Sequence, residues 1–134
     1  MDKRIKFGSV ELKIDEDTGE FTGSVISVES PYGILLTPSP IETATLLAVL
    51  RFTFDDGREY MSTHQILQKG AEYGSGWSHL AQFQDRPETF WICVGALSVY
   101  VPTKRMKEIY QDLLRAFSEI GSLPDFPKSE SISQ

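Results

Sequence analysis

The feature of this sequence that most limits its fold is a long amphipathic helix near the C-terminus. Apolar side chains recur there at spacings of three and four residues, which places them on one face of an α-helix. Pro102 and Thr103 open the segment and Gly121 ends it. The apolar stripe consists of Met106, Ile109, Tyr110, Leu113, Leu114, Phe117 and Ile120. Because such a stripe is stable only when it packs against another element, the remaining chain has to supply a matching apolar face.

The segments before this helix have the two-residue period of antiparallel strands. Apolar and polar residues alternate over 5–14 and again over 21–25, with a turn at 15–19 between them. A further short strand is predicted over 32–37, and a hairpin over 89–101. Together these segments predict a meander of strands that is completed by a late hairpin.

The middle of the chain admits two interpretations. Residues 39–42 are Ser-Pro-Ile-Glu, which is a good helix start with an N-cap serine and a glutamate three residues later. Yet apolar residues alternate with polar ones up to residue 54, and the Asp-Gly pair at 56–57 is a hairpin signal. We therefore predict at most a helical turn near 40–45, followed by a long strand to Phe54 and a return strand over 58–61.

The whole pattern predicts an α+β fold, in which a bent antiparallel sheet packs against the C-terminal helix. A second capping pattern, beginning at Ser62, predicts a short helix near 63–69. The stretch 71–86 has the least regular pattern. We interpret residues 1–121 as a single domain and residues 122–134 as a partly disordered tail.

The charge balance excludes some classes of partner. Thirteen Lys and Arg stand against nineteen Asp and Glu, which gives a net charge of −6. Broad binding to long nucleic acids or to an anionic membrane surface is therefore not expected. No apolar run reaches the length of a membrane span, and the single cysteine, Cys93, allows no disulfide within the chain. We expect a cytoplasmic location, in a bacterium or in an infected bacterial host cell.

The start of the C-terminal helix carries an unusual charge pattern. A helix N-terminus favours acidic side chains, yet Lys104, Arg105 and Lys107 come before the first acid, Glu108. Cations beside free backbone amides form a suitable place for an anion such as a phosphate, and we predict Thr103, Lys104 and Arg105 as its ligands. In the alternative interpretation the lysines are only solvated, Arg105 pairs with a nearby acid, and Thr103 is only an N-cap.

Two further arginines are candidate phosphate ligands. Arg58 directly follows the Asp-Gly pair of the predicted hairpin, where its planar guanidinium would be accessible to a phosphate. Arg51 lies on the predicted preceding strand, on the same side as Thr53, and is able to join it. The alternative for Arg58 is a cross-strand ion pair with a carboxylate.

The segment Gly74-Ser75-Gly76-Trp77 is a candidate ligand-covering loop. Two glycines beside a tryptophan combine a mobile backbone with a large ring, and further aromatic residues follow, including Phe83. Aromatic rings stack on nucleobases without specific hydrogen bonds. The alternative is that Trp77 and Phe83 fill a small satellite core beneath the loop.

No recognisable catalytic pattern is present in the sequence. His64 and His79 are the candidates for acid–base chemistry, but neither belongs to a known motif. The acidic turn at 15–19 has its glycine at the wrong position for a calcium loop. We therefore predict no enzyme activity, no metal and no cofactor.

Three short features in combination point to a known family. They are the Asp56-Gly57-Arg58 hairpin, Phe83 ahead of the late hairpin, and Lys104-Arg105 at the helix start. In this combination the chain resembles the phage anti-Thoeris sponge proteins, small α+β oligomers that sequester cyclic ADP-ribose isomers. The resemblance implies that Arg58 and Arg105 hold phosphates and that Phe83 stacks on the base. The family also uses an Asn, and this chain contains none.

Two classes of function follow from the sequence. The first is a non-catalytic homo-oligomer that sequesters a small nucleotide-derived, phosphate-bearing signal between its subunits and thereby inhibits an immune pathway. The second is an acidic protein-interaction module, such as an inhibitor or an immunity-type protein, that binds a basic protein. The acidic clusters at 15–17 and 55–56 favour the second class.

Overall fold

The α+β class is confirmed by a computed structural model that describes residues 2–28, 33–55 and 61–127. These residues form seven strands and three helices. In chain order the elements are β1 Asp2–Phe7, β2 Val10–Asp15, β3 Phe21–Ser27, β4 Leu35–Leu36, α1 Pro40–Asp55, α2 Thr63–Glu72, β5 Trp77–Gln82, β6 Thr89–Val94, β7 Leu97–Pro102 and α3 Thr103–Ile120.

The strands form two antiparallel sheets rather than one bent sheet. The first sheet has the order β1-β2-β3-β4, and the second has the order β5-β6-β7. Short connections explain both orders, since consecutive antiparallel strands joined by tight turns pair with each other. The predicted late hairpin is confirmed, with Val94 opposite Leu97 across the turn.

The C-terminal helix α3 joins the two sheets. It contacts β1 and β2 on one side and β6 and β7 on the other, and it also packs on α1. The predicted apolar stripe faces these elements. Its buried members are Met106, Ile109, Tyr110, Leu113 and Phe117, and Ala116 of the same helix is buried beside them. From the sheets, the core receives Val10, Leu12, Ile14, Ile26, Leu80, Phe90, Ile92 and Val101.

The predicted strand up to Phe54 is wrong, because the whole segment 40–55 is helical. The helix α1 starts with the capping residues that the sequence contained. Ser39 and Glu42 each accept a hydrogen bond from the backbone N–H of the other, at 3.1 Å in both cases. Residues 56–60 lie outside the described residues, and with them the predicted hairpin turn and most of its return strand.

Burial on several sides explains why α1 does not have the pattern of a surface helix. It packs against β3, β5, α2 and α3, so its apolar residues are not confined to one stripe. Leu46, Leu47, Val49 and Leu50 are all buried. In a helix Leu50 and Phe54 share a face because they are four residues apart. The two-residue alternation at 50–54 therefore does not indicate a strand.

The remaining elements agree partly with the predictions. The short helix predicted near 63–69 is confirmed as α2, with the complete capping box between Ser62 and Gln65. The stretch 71–86 is more regular than expected because it contains β5. Residues 122–127 of the predicted tail are described, and Phe126 stacks on Tyr73 at 6.3 Å between ring centroids. Residues 128–134 lie outside the described residues.

The turn between β1 and β2 is held against α3 by one carboxylate. Asp112 accepts hydrogen bonds from the backbone N–H and the hydroxyl of Ser9, at 3.1 and 3.0 Å. Gly8, with φ +57°, allows this approach because a Cβ there would collide with the carboxylate of Asp112. Gly19, in the turn between β2 and β3, has φ +75°, but a Cβ added there would meet only open space.

The two glycines therefore form a matched pair of substitutions. We expect Gly19→Ala to lower the free energy of unfolding by about 1 kcal/mol, since only the left-handed backbone is penalised. We expect Gly8→Ala to cost about 2 kcal/mol more, because it also displaces the charged acceptor of two hydrogen bonds. Urea denaturation of both variants measures the difference. Equal losses would show that Asp112 does not hold the turn.

A buried tyrosine ties α3 to the end of α1. Tyr110 is 4% exposed, and its hydroxyl donates a hydrogen bond to Asp55. Burial first, then the hydrogen bond and the charge of Asp55, raise the pKa of the Tyr110 phenol well above its ordinary value, while Arg51 lowers it. The folded state therefore disfavours the ionised phenolate.

This shift predicts a loss of stability at alkaline pH. The contribution of neutral Tyr110 is fully present below the phenol's pKa in the unfolded chain, about 10, and it declines as the pH rises above that value. Because Phe does not titrate, Tyr110→Phe is expected to lose less stability than the wild type between about pH 10 and pH 12. Urea denaturation across this range tests the difference. Equal losses in the two proteins would contradict the prediction.

Candidate functional site

The outer face of the second sheet carries a cluster of aromatic rings, which we call the aromatic face. It consists of His79, Phe83, Trp91 and Tyr100. Phe83 and Trp91 are nearly parallel, with 4° between their planes and 6.1 Å between their centroids. Tyr100 meets both rings edge-on, and His79 lies 4.3 Å from Trp91. Tyr100 is 62% exposed, so the cluster is open to solvent.

The strand register creates this face. Ala81 lies opposite Trp91, and Trp91 lies opposite Tyr100, so the rings of β6 and β7 stand side by side. Successive side chains of a strand point to opposite faces of the sheet. The neighbouring residues Phe90 and Val101 are accordingly buried in the core. The sheet therefore uses aromatic residues on both of its faces.

A hydrogen bond fixes the central ring of the aromatic face. The indole Nε1 of Trp91 donates to the hydroxyl of Ser98 at 2.8 Å. Ser98 is also 3.5 Å from the Sγ of Cys93, its neighbour across the β6–β7 pair. Cys93 is half-buried and lies on this outer side of the sheet. A fixed indole plane presents a rigid stacking surface, which loses little conformational entropy when a ring binds to it.

Two cations, Arg86 and Lys104, lie next to residues of the aromatic face. The guanidinium carbon of Arg86 lies 4.7 Å from the centroid of the Phe83 ring. Lys104 lines an open cavity of about 410 Å³, and Tyr100 and Thr89 form part of the same wall. Glu88 also lines this cavity. An aromatic ring and a cation thus border one space.

The start of α3 is held beside the same cavity, but not in the way the sequence predicted. Thr103 is not the N-cap, because Pro102 takes that position and no side chain caps the helix. Instead the N–H of Thr103 donates to the carbonyl of Glu88 at 2.8 Å, and its hydroxyl donates to that of Pro87 at 2.5 Å. The role of Thr103 is to fix the β5–β6 loop to the helix.

Arg105 points away from the aromatic face. Its guanidinium donates to the backbone carbonyl of Ser27 at 2.7 Å and pairs with Glu108 at 3.1 Å. It lines a separate cavity of about 710 Å³ between the first sheet and α3, together with Lys6 and Asp112. The structure therefore divides the predicted cationic cluster between two cavities, and Arg105 has the acidic neighbour that the alternative interpretation expected.

Trp77 is not part of an open loop. It begins β5, its side chain is buried, and its indole Nε1 donates to the carbonyl of Glu42 at 2.9 Å. The backbone N–H of Gly76 also donates to the carboxylate of Glu42, at 2.7 Å. The segment 74–77 is thus anchored to α1. Trp77 belongs to the main core rather than to the small satellite core of the alternative interpretation, and Phe83 lies on the aromatic face instead. Trp77 has no exposed ring face to offer a ligand.

Among the other predicted residues that the structure describes, Arg51 and His64 do not lie on the aromatic face. Arg51 lines a third cavity, of about 490 Å³, with Asp55 and Tyr110. Arg58 lies outside the described residues. His64 is exposed on α2, whereas His79 belongs to the aromatic face. Over the described ranges, no cluster of His, Cys, Asp and Glu has the geometry of a metal site.

Sequence reasoning missed most of the aromatic face. Of its four rings, only Phe83 was a predicted ligand contact, and Trp91, Tyr100 and Arg86 were not singled out. The sequence signal for this face was the alternation within the late hairpin. Every second residue there belongs to the core, and the residues between them are Trp91, Cys93, Ser98 and Tyr100. Period-two alternation assigns these side chains to one face. It does not say that this face is left uncovered.

The two tryptophans provide a direct test of this division. In Trp77→Phe the remaining indole is Trp91 on the aromatic face, and in Trp91→Phe it is the buried Trp77. We expect acrylamide to quench the emission of Trp77→Phe several-fold more efficiently, because collisional quenching needs access to the ring. The emission maximum of Trp91→Phe should lie at shorter wavelength. Equal quenching of the two variants would contradict the placement of Trp77 in the core.

Comparisons with known proteins assign this chain to no family. Among the described residues, no helix is long and apolar enough to span a membrane. In comparisons with protein-family models, with curated proteins and with solved structures, no match to this chain was found.

Proposed function

We propose that this protein is a non-catalytic binding protein for a small nucleotide-derived, phosphate-bearing ligand. The observation that carries the proposal is the continuity between the aromatic face and the 410 Å³ cavity, since Tyr100 belongs to both and Lys104 lines the cavity. A nucleotide has the same two parts, a flat ring and an anionic group. This surface offers a contact for each of them.

Each part of the ligand has a physical reason to bind here. Stacking of a base on an aromatic side chain contributes about 1–3 kcal/mol. The exposed ring of Tyr100 is available for it, with the rings of Phe83 and Trp91 alongside. A phosphate would meet the ammonium of Lys104 at the start of α3, where the partial positive charge of the helix favours an anion. Arg86 adds a second cation next to Phe83.

The biological role that we propose follows the resemblance to the anti-Thoeris sponge proteins. A protein that binds a cyclic ADP-ribose-type signal tightly lowers its free concentration, and this silences the immune pathway that the signal activates. This role requires binding and release but no chemical step. We further propose that the protein acts as a homo-oligomer in the cytoplasm of a bacterial cell infected by phage, with ligand sites between subunits.

A protein partner is the second candidate, and the composition of the aromatic face favours it. Trp, Tyr and Arg are the residues most enriched at the energetic centres of protein interfaces, and Trp91, Tyr100 and Arg86 lie within one cluster. The exposed acids at 16–17 would steer a basic partner toward the molecule. A pull-down that recovers one stoichiometric basic protein would favour this function.

Thermal unfolding with defined ligands tests the first proposal. We expect cyclic ADP-ribose to raise the melting temperature of the wild type by several degrees at saturation, and inorganic phosphate to raise it less. Tyr100→Ala removes a stacking ring and Lys104→Ala removes the cation. Each is expected to weaken the affinity about fivefold or more, since a stacked ring contributes roughly 1–3 kcal/mol and a charge-assisted bond roughly 1.5–3 kcal/mol.

Two neighbouring residues serve as matched controls. Lys107→Ala removes an exposed cation one turn further along α3 that does not line the cavity, and it should leave the affinity unchanged. Arg105→Ala tests the 710 Å³ cavity instead. A loss of binding only in Arg105→Ala would place the ligand there and contradict our assignment. No shift with any member of a broad nucleotide panel would reject the ligand class.

A further inference from the structure

The outer edge of β7 has backbone groups without a strand partner. The two-residue turn pairs Val94 with Leu97, so Leu97, Val99 and Val101 exchange hydrogen bonds with β6. The backbone groups of Ser98 and Tyr100 consequently point to the other side. Within the described part of the chain, neither residue forms a backbone hydrogen bond beyond the β6–β7 pair.

The composition of β7 differs from that of the other strand edges. Open edges of stable monomers are protected by charged residues, by proline or by short length. The edge strand β1 carries Lys3, Arg4 and Lys6, and β4 has only two residues. The strand β5, at the other edge of this sheet, contacts α2. By contrast β7 has six residues and no charge, and its only proline is the last residue.

We propose that β7 pairs antiparallel with β7 of a second copy of this chain, around a two-fold axis that passes between the two Val99 residues. In this register Ser98 lies opposite the partner's Tyr100, and Tyr100 lies opposite the partner's Ser98. Each of these two pairs exchanges two backbone hydrogen bonds, so the seam contains four. The two three-stranded sheets become one six-stranded sheet.

The side chains along this seam are self-complementary. On the outer face the small Ser98 stands opposite the large ring of the partner's Tyr100, so neither residue crowds its equivalent. On the inner face the half-buried Leu97 and Val99 meet the partner's apolar residues and lose their remaining exposure to water. A two-fold interface places the same patch on both subunits, and such a patch must fit itself.

The charges near the seam also favour a second copy. The strand carries no charge, so two copies of an acidic chain meet there without like charges facing each other. Antiparallel pairing brings the Lys104 end of one β7 toward the hairpin end of the other. At that hairpin end Glu42 lies close to Gly76, which is bonded to Gly95. The seam thus brings Lys104, which lies near Glu88, toward the hairpin end of the partner's β7, near the partner's Glu42.

This pairing joins the aromatic faces of two subunits. The partner's Tyr100 takes a place beside Ser98, which holds the indole of Trp91. The rings then form one strip across the two-fold axis, instead of two separate clusters. The inference does not depend on the proposed ligand, because the contact consists of backbone bonds and apolar side chains of this chain alone.

Cysteine cross-linking tests the register directly. In a Cys93→Ser background, Val99→Cys places two thiols opposite each other at the axis, within reach of a disulfide. Leu97→Cys is the matched control, because its two copies would be separated by four residues of strand, roughly 13 Å. Mild oxidation with copper phenanthroline should convert most of the Val99→Cys protein into a cross-linked dimer and little of the Leu97→Cys protein.

Light scattering on the full chain supplies the second measurement. We expect the wild type to have twice the chain mass of 15.1 kDa. Tyr100→Pro should give a folded monomer, because Pro at this outward-facing position removes donors of the seam but none of the β6–β7 pair. A monomeric wild type, or equal cross-linking at positions 97 and 99, would overturn the proposal. A dimer that persists in Tyr100→Pro would also overturn it, since the contact would lie elsewhere.

Discussion

Packing of the α3 stripe between two sheets is the interaction on which the rest of this structure depends. Neither sheet is large, and each has an apolar face that needs a cover. The helix α3 contacts both of them, and its buried side chains, among them Phe117, Met106 and Leu113, lie in the shared core. The same helix holds the β1–β2 turn through Asp112 and the end of α1 through Tyr110. One amphipathic segment therefore organises the whole domain.

The position of α3 also determines where charge is available for function. Consecutive residues of a helix are rotated by about 100°. Lys104 and Arg105 are adjacent in sequence, yet one borders the aromatic face and the other contacts the first sheet. A cluster of cations in the sequence thus becomes two separate sites of different character. The negative net charge of the chain is compatible with a local anion site, since a single lysine beside a helix start suits one small ligand.

The second sheet has one face in the core and one face toward solvent. The side chains on the inner face of its strands fill the core, and those on the outer face include Trp91 and Tyr100, which point toward solvent. Its edge strand adds a third kind of surface, where the backbone groups of Ser98 and Tyr100 have no strand partner among the described residues. Tyr100 belongs to the ring cluster, to the cavity beside Lys104 and to the strand edge. If β7 pairs with a second copy, ligand recognition and assembly therefore share a residue.

The sequence by itself determined the elements whose signals are local. These are the alternating strands, the late hairpin, the capping box at Ser62 and the stripe of α3, because period and capping depend only on neighbours in the chain. Only the tertiary structure decided what each face meets. Residues 46–54 form a helix because four elements surround them, and Trp77 is core because Glu42 of α1 accepts its indole N–H. The aromatic face lies outside because no element within the described ranges covers it, and this depends on contacts between distant residues.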